Sequence, residues 1–135
     1  MDKILEFLKS NGLGFIATVE GQQPRVRAFG FGFYEDGKFW FCTNSQKKVY
    51  AQLKATPYAE VAFSAPDFSQ NLRLSGHVVF DGSAEAKKRV MDAMPGVAQL
   101  YGSPDNPIFE VFYLEKGEAI LEAFPPSGPP HAVKF

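Results

Sequence analysis

The stretch Phe39-Trp40-Phe41-Cys42-Thr43-Asn44-Ser45-Gln46-Lys47-Lys48-Val49-Tyr50 decides how the chain is to be read, because it holds a strand, a turn and a helix start in succession. Residues 38–43 are aromatic and β-branched enough to form a strand. Thr43, Asn44 and Ser45 carry the side-chain oxygens that start helices, and Val49, Tyr50 and Leu53 then recur at helical spacing until Pro57 ends the run. With Ser45 as the cap, Lys47 and Lys48 fall in the first turn. That end of the helix macrodipole is positive, so each ammonium there costs about 0.3–1 kcal/mol. An anion reverses the balance. Free backbone N–H groups, hydroxyls and two ammonium groups would converge on it, each charge-assisted hydrogen bond giving about 1.5–3 kcal/mol. The segment therefore predicts a phosphate socket. Lysines at a helix end also reach away into water, where screening shrinks the cost, so the segment alone admits both readings. A later helix supplies the contrast: Ser83 caps it, Glu85 lies in its first turn, and Lys87, Lys88 and Arg89 follow in the order that suits the dipole.

Outward from this stretch the chain is strand-rich. Asp2 can cap a first helix whose apolar stripe is Ile4, Leu5 and Leu8, and Ser10-Asn11-Gly12 stops it. Residues 14–19 read as a strand, 20–24 as a turn, and 25–34 as a second strand closed by Glu35-Asp36-Gly37. Strands are also expected over 59–64 and 71–80, and one or two over 108–123. A capped helix spans about 84–94, residues 95–107 are irregular with at most a helical turn, and the proline-rich tail over 125–130 is extended or loose. No repeat or second domain is visible, so residues 1–135 are expected to form one domain: a small antiparallel β-barrel with flanking helices.

Composition narrows the function classes. At 135 residues and 45% hydrophobic content the chain can bury a real core. The 14 phenylalanines exceed what so small a core needs, which points to a subunit interface. A formal charge of −1 argues against a general nucleic-acid binder, and the basic residues cluster too locally for an oligonucleotide-tracking groove. One cysteine excludes an internal disulfide, and two histidines cannot assemble a zinc-type cluster, so no metal site is expected. The start of the chain reads as a charged amphipathic helix rather than a signal peptide, and no run is apolar enough to span a bilayer. A cytoplasmic location without membrane contact is the expectation.

In the second strand Arg25, Arg27, Phe29, Phe31 and Phe33 alternate with Val26, Ala28, Gly30 and Gly32. Small residues let a barrel strand coil and close, and they also let a flat ligand approach the backbone; the strand is compatible with both. Arg27 can reach the socket as a bidentate partner of phosphate, while either arginine could instead form a surface ion pair worth little.

Taken in order, Pro24-Arg25-Val26-Arg27, Phe39-Trp40-Phe41-Cys42-Thr43-Asn44 and Ser45-Gln46-Lys47-Lys48-Val49-Tyr50 resemble the core of the pyridoxamine 5′-phosphate oxidase-like, FMN-binding split β-barrel proteins. The resemblance runs over about 14–80 and more loosely through 109–118. It implies a six-stranded antiparallel split barrel, a homodimer, and FMN bound in clefts at the subunit interface. It also implies that Arg27 meets the FMN phosphate and that the backbone of Ala28, Phe29 and Gly30 meets the isoalloxazine ring. Cys42 and Thr43 would lie along the ring and phosphate side, Lys47 and Lys48 would grip the phosphate with Ser45 and Gln46 as nearby donors, and Asn71 would touch the flavin. The chain departs from true pyridoxamine-phosphate oxidases where their substrate-binding lysine falls, at Gly32 here, and it lacks their C-terminal tryptophan and Arg-x-His signature. Vitamin B6 oxidation is therefore not expected. The implied activity is that of an FMN-dependent oxidoreductase acting on a small organic substrate, with a non-catalytic flavin binder or electron carrier, or a barrel using the deazaflavin F420 or haem, as the alternatives.

No acid–base dyad or nucleophile–base pair is visible, so the sequence assigns no catalytic residue. Cys42, in an apolar strand, reads as a buried small hydrophobe rather than a redox thiol. His77 reads as structural or partly exposed, and His131 either faces a dimer cleft or is loose.

Overall fold

A computed structural model describes the whole chain, Met1–Phe135. Its elements run α1 (Asp2–Ser10), β1 (Leu13–Glu20), β2 (Gln23–Gly30), β3 (Phe33–Glu35), β4 (Lys38–Asn44), α2 (Lys48–Ala55), β5 (Tyr58–Ser64), β6 (Gln70–Phe80), α3 (Ala84–Ala93), α4 (Pro95–Tyr101), β7 (Phe109–Ala123) and β8 (His131–Lys134). The strands form one antiparallel sheet in the order β2-β1-β5-β6-β7-β4-β3, with β8 paired to β7. The long strands β1, β2, β4, β5, β6 and β7 are the six of a split barrel. The short β3 and β8 bring the sheet to eight. No helix is long and apolar enough to cross a membrane.

Two edges of this sheet, β2 and β3, are successive in the chain, and the join between them is where the sequence reading needs correction. A single strand was expected over 25–34. Instead the chain leaves β1 after Gly30 and crosses to β4. The Phe31 N–H donates to Gly12 O at 2.8 Å and the Gly32 N–H to Trp40 O at 2.9 Å, so this corner bonds to the residue before β1 and to β4, beside the two edges. Gly32 makes the approach possible, because a Cβ there would stand 2.7 Å from the Trp40 carbonyl oxygen. The alternation of large and small residues continues unbroken through the corner, so periodicity could not show it.

Inside the barrel, alternate residues of the strands are buried: Ile16 and Thr18 from β1, Phe39, Phe41 and Thr43 from β4, Val61 and Phe63 from β5, Leu72 and Leu74 from β6. Helix α1 adds Ile4, Phe7 and Leu8, and α2 adds Val49 and Leu53. Each fully buried Phe or Leu contributes about 1.5–3 kcal/mol relative to exposure, so this cluster carries the fold. Strands β4 and β7 are covered on both faces. Their outward Trp40, Phe109 and Val111 pack with Val90 and Met91 of α3, and Met94 and Tyr101 close the same layer. The segment over 95–107, expected to be irregular, contains the seven-residue α4, started by Pro95 at its first position. The end of the tail also differs from expectation: β8 pairs with β7, and Val133 and Phe135 pack on the core, with the Phe135 ring edge-on to Phe39 at 4.7 Å. A four-residue strand after Pro125-Pro126-Ser127-Gly128-Pro129-Pro130 is too short to show a period.

Candidate functional site

Helix α2 starts at Lys48 with Lys47 at its N-cap, so Ser45 is not the cap. The reason lies in the preceding turn. Asn44 Oδ1 accepts from the Gln46 N–H at 3.0 Å and Asn44 O from the Lys47 N–H at 3.2 Å, while the Ser45 N–H donates to Ile108 O. This Asx-type turn uses Asn44 and delays the helix by two residues. A lysine cap offers no acceptor, and the first turn holds no acidic residue. The start of α2 is thus a positive helix end with cationic side chains and no side-chain counter-charge of its own, as expected, though with the cap two residues later than Ser45.

Arg27 comes to this helix from β2. Its Nη1 donates to Thr18 Oγ1 at 2.7 Å and its Nη2 to Gln52 Oε1 at 2.5 Å. Thr18 Oγ1 in turn donates to the same Gln52 oxygen at 2.6 Å, and Gln52 Nε2 donates to Glu20 Oε2 at 3.2 Å. Thr18 and Gln52 are 2% and 4% exposed, so a buried polar pair fixes the guanidinium. Two of its five N–H groups are used, and the others remain for a ligand. Burial and the neighbouring Arg25 lower the proton affinity of Arg27, while Glu20 opposes them; a guanidinium stays charged throughout. Arg25 is the surface partner, paired with Glu20 at 2.9 Å with both side chains about half exposed. The two arginines therefore divide the two readings the sequence left open.

Between β2 and α2 lies a cleft of about 460 Å³ lined by Glu20, Arg25, Arg27, Lys47, Lys48 and Gln52, together with Val49. Of the residues singled out in the sequence, the structure brings Arg27, Lys47 and Lys48 together here, with Ser45 and Gln46 on the turn just before them. Thr43 precedes that turn, and its buried Oγ1 has no hydrogen-bond partner. Ala28, Phe29 and Gly30 lie on edge strand β2, with the Phe29 ring committed inward against Phe41 and Phe112, which leaves the backbone edge as their contribution. Cys42 and Thr43 point to opposite faces of β4, so their side chains do not share a surface. The Cys42 thiol faces Met94, Sγ to Sδ 3.9 Å, and burial pushes it up to about 11 against the opposing influence of Lys47. It is a partly buried, packed thiol, and a thiol held protonated is a poor nucleophile. Asn71 is not in the cleft: it is the second residue of β6, accepts from Ser64 Oγ at 2.7 Å and sits beside Phe124 and Pro126. His77 is partly exposed near Glu115, and His131 is ordered in β8 with its Nε2 buried and unpaired.

The sequence reading did not single out Thr18 or Gln52. Each carries a signal: Thr18 shares the inward parity of Ile16, and Gln52 sits on the helical stripe of Val49 and Leu53. A polar residue placed on an apolar face needs a partner, and these two meet each other. A larger groove of about 890 Å³ lies elsewhere, around Tyr58, His77, Lys116 and Glu118. Its charges are mixed, whereas the 460 Å³ cleft has four cationic side chains and one carboxylate.

A helix start without an acceptor and converging Arg and Lys donors are the chemistry that a phosphate monoester satisfies, and FMN carries one. A sequence model described as pyridoxamine 5′-phosphate oxidase matches residues 1–119. The chain belongs to the pyridoxamine 5′-phosphate oxidase-like family of split β-barrels. Among solved structures, a NimC/NimA family protein from Clostridium acetobutylicum is 37% identical, with a TM-score of 0.87 over 98% of this chain and 90% of that one. A pyridoxamine 5′-phosphate oxidase-related, FMN-binding protein from Nostoc punctiforme is 20% identical, with a TM-score of 0.72 over 97% and 87% of the two chains. A heme-binding protein from Mycobacterium smegmatis shares the fold at 20% identity and a TM-score of 0.72, with 98% of this chain and 56% of that one aligned. No curated protein sequence matches.

Proposed function

We propose that this protein binds FMN through the cleft between β2 and α2 and acts as a flavin-dependent oxidoreductase on a small organic substrate. The observation that carries the reading is the fixed Arg27 guanidinium facing the start of a helix whose cap and first residue are both lysines. Arg27, Lys47 and Lys48 would hold the phosphate, with Ser45, Gln46 and Thr43 as nearby donors, and the backbone edge of Ala28 to Gly30 would receive the ring. When bound, the flavin supplies hydride or single-electron transfer; the chain's own residues bind it, orient it and keep water from it. The likeness to an FMN-binding relative supports this cofactor, and a haem would find no axial ligand among the residues that line the cleft.

Pyridoxamine phosphate is not the substrate in this reading. At Gly32 the close Trp40 carbonyl leaves no space for a lysine stem without moving the backbone.

The protein would work as a homodimer. Leu13, Phe15, Val26 and Tyr58 are 85%, 58%, 68% and 62% exposed on one face of β1, β2 and β5, a contiguous apolar surface of the kind a subunit interface buries. Phe15→Glu should convert a sedimenting dimer to monomer, and a wild-type monomer at micromolar concentration would overturn this part.

The visible spectrum of the purified protein tests the cofactor, distinguishing oxidised flavin, deazaflavin and haem. FMN titration should then show Arg27→Ala and Lys48→Ala each weaker by about 1.5–3 kcal/mol, and unchanged curves would remove the socket. Turnover of NADH or NADPH with a quinone or nitroaromatic acceptor separates an enzyme from a carrier, which would bind FMN with negligible steady-state rate.

A further inference from the structure

The one carboxylate lining the cleft stands where a phosphate would not want it. Glu20, the last residue of β1, accepts from Arg25 Nη2 at 2.9 Å and Nε at 3.3 Å, and its second oxygen accepts from Gln52 Nε2 at 3.2 Å. Gln52 is the same amide that holds Arg27, so Glu20 is bonded into the network that organises the socket. A half-exposed Arg–Glu pair across a hairpin contributes little to stability. Its position counts for more than its strength: the bonds from Arg25 and then Gln52 hold its carboxyl below the usual range, as they would an incoming anion, and Lys48 adds the smallest share.

We propose that Glu20 is an internal competitor for the socket, a side-chain anion that occupies Arg25 and Gln52 until a phosphate displaces it. This rests on the reading that the cleft takes a phosphate. Four cations crowded at a helix start repel one another, and one carboxylate offsets part of that repulsion when no ligand is present. The incoming phosphate meets a like charge within the same cleft and must either take Arg25 from Glu20 or bind without it. The residue thereby weakens the socket and favours a ligand that exchanges over one held permanently.

Glu20→Gln keeps the shape and can still accept from Arg25 while removing the charge. Isothermal titration of wild type and Glu20→Gln with inorganic phosphate, FMN and riboflavin tests the proposal. The variant should bind inorganic phosphate and FMN about tenfold more tightly, with the gain shrinking at high salt, and riboflavin should bind both proteins equally. Glu20→Ala should show the same direction. Equal or weaker phosphate binding by both variants would overturn the proposal. If phosphate binds as expected while FMN binds neither protein, the flavin reading fails and Glu20 keeps its role. If phosphate binds none of the three proteins, both fall.

Discussion

Replacing Gln52 with leucine removes one amide from the buried network while keeping nearly the same volume on α2. In the native structure Gln52 Oε1 accepts from Thr18 Oγ1 at 2.6 Å and from Arg27 Nη2 at 2.5 Å. Leucine would leave the Thr18 hydroxyl, 2% exposed, without its acceptor, and would free the guanidinium from its second anchor. The neutral bond is worth about 0.5–1.5 kcal/mol and the charged one about 1.5–3 kcal/mol; partial access of water to Arg27 reduces the second, so a loss of about 2–4 kcal/mol is expected. Urea unfolding should report it as a lower midpoint at unchanged slope. The stronger test is the pair. Thr18→Val removes the hydroxyl that Gln52→Leu strands, so the double variant should be more stable than the sum of the single losses predicts, by about 1 kcal/mol or more. Phosphate affinity should fall in every variant that lacks Gln52, because Arg27 then has to be ordered by the ligand. If Gln52→Leu costs under about 0.5 kcal/mol, or if the two losses simply add, the buried pair does not organise Arg27 and the reasoning fails.

Three other outcomes are expected. Gly32→Ala places a Cβ 2.7 Å from the Trp40 oxygen and should destabilise by about 1–3 kcal/mol in thermal or urea unfolding; a neutral result would mean the corner yields freely. Cys42, its thiol pushed up to about 11 by burial, should resist iodoacetamide at neutral pH and react once the protein is unfolded, whereas rapid labelling of native protein would contradict its packing against Met94. Glu20, held below its ordinary value by its bonds to Arg25 and then Gln52, should contribute stability above the ordinary carboxylate range and lose it as pH falls through its depressed value. Glu20→Gln should therefore flatten that part of the acid limb of a melting-temperature profile, and superimposable profiles would refute the linkage.

The fold was largely legible because its strongest signals are local. Strand β4 alternates, Pro57 stops α2, and Ser83 caps α3 by accepting from the Ala86 N–H at 3.1 Å. The cationic start of α2 was legible for the same reason, since Lys47 and Lys48 offend the dipole within a few residues of recognisable helix-starting chemistry. What escaped was set by contacts that periodicity does not carry, most of them distant in sequence. Ser45 lost the cap because Asn44 completes its own turn and Ile108 takes the Ser45 N–H. The β2–β3 corner depends on Gly12 and Trp40, which no window around Gly32 contains. Thr18 and Gln52 explain each other only when β1 and α2 are side by side.

The corner at Phe31 and Gly32 does more than turn the chain. Two residues stitch the opposite margins of the sheet, and Arg27 lies only four positions upstream of the first stitch. A slip of one residue at that seam would invert every side chain of β2, carrying both arginines to the far surface and leaving Val26 and Ala28 facing the lysines. The seam is thus a phase lock: the corner that joins the two margins of the split barrel also decides which side of β2 is charged.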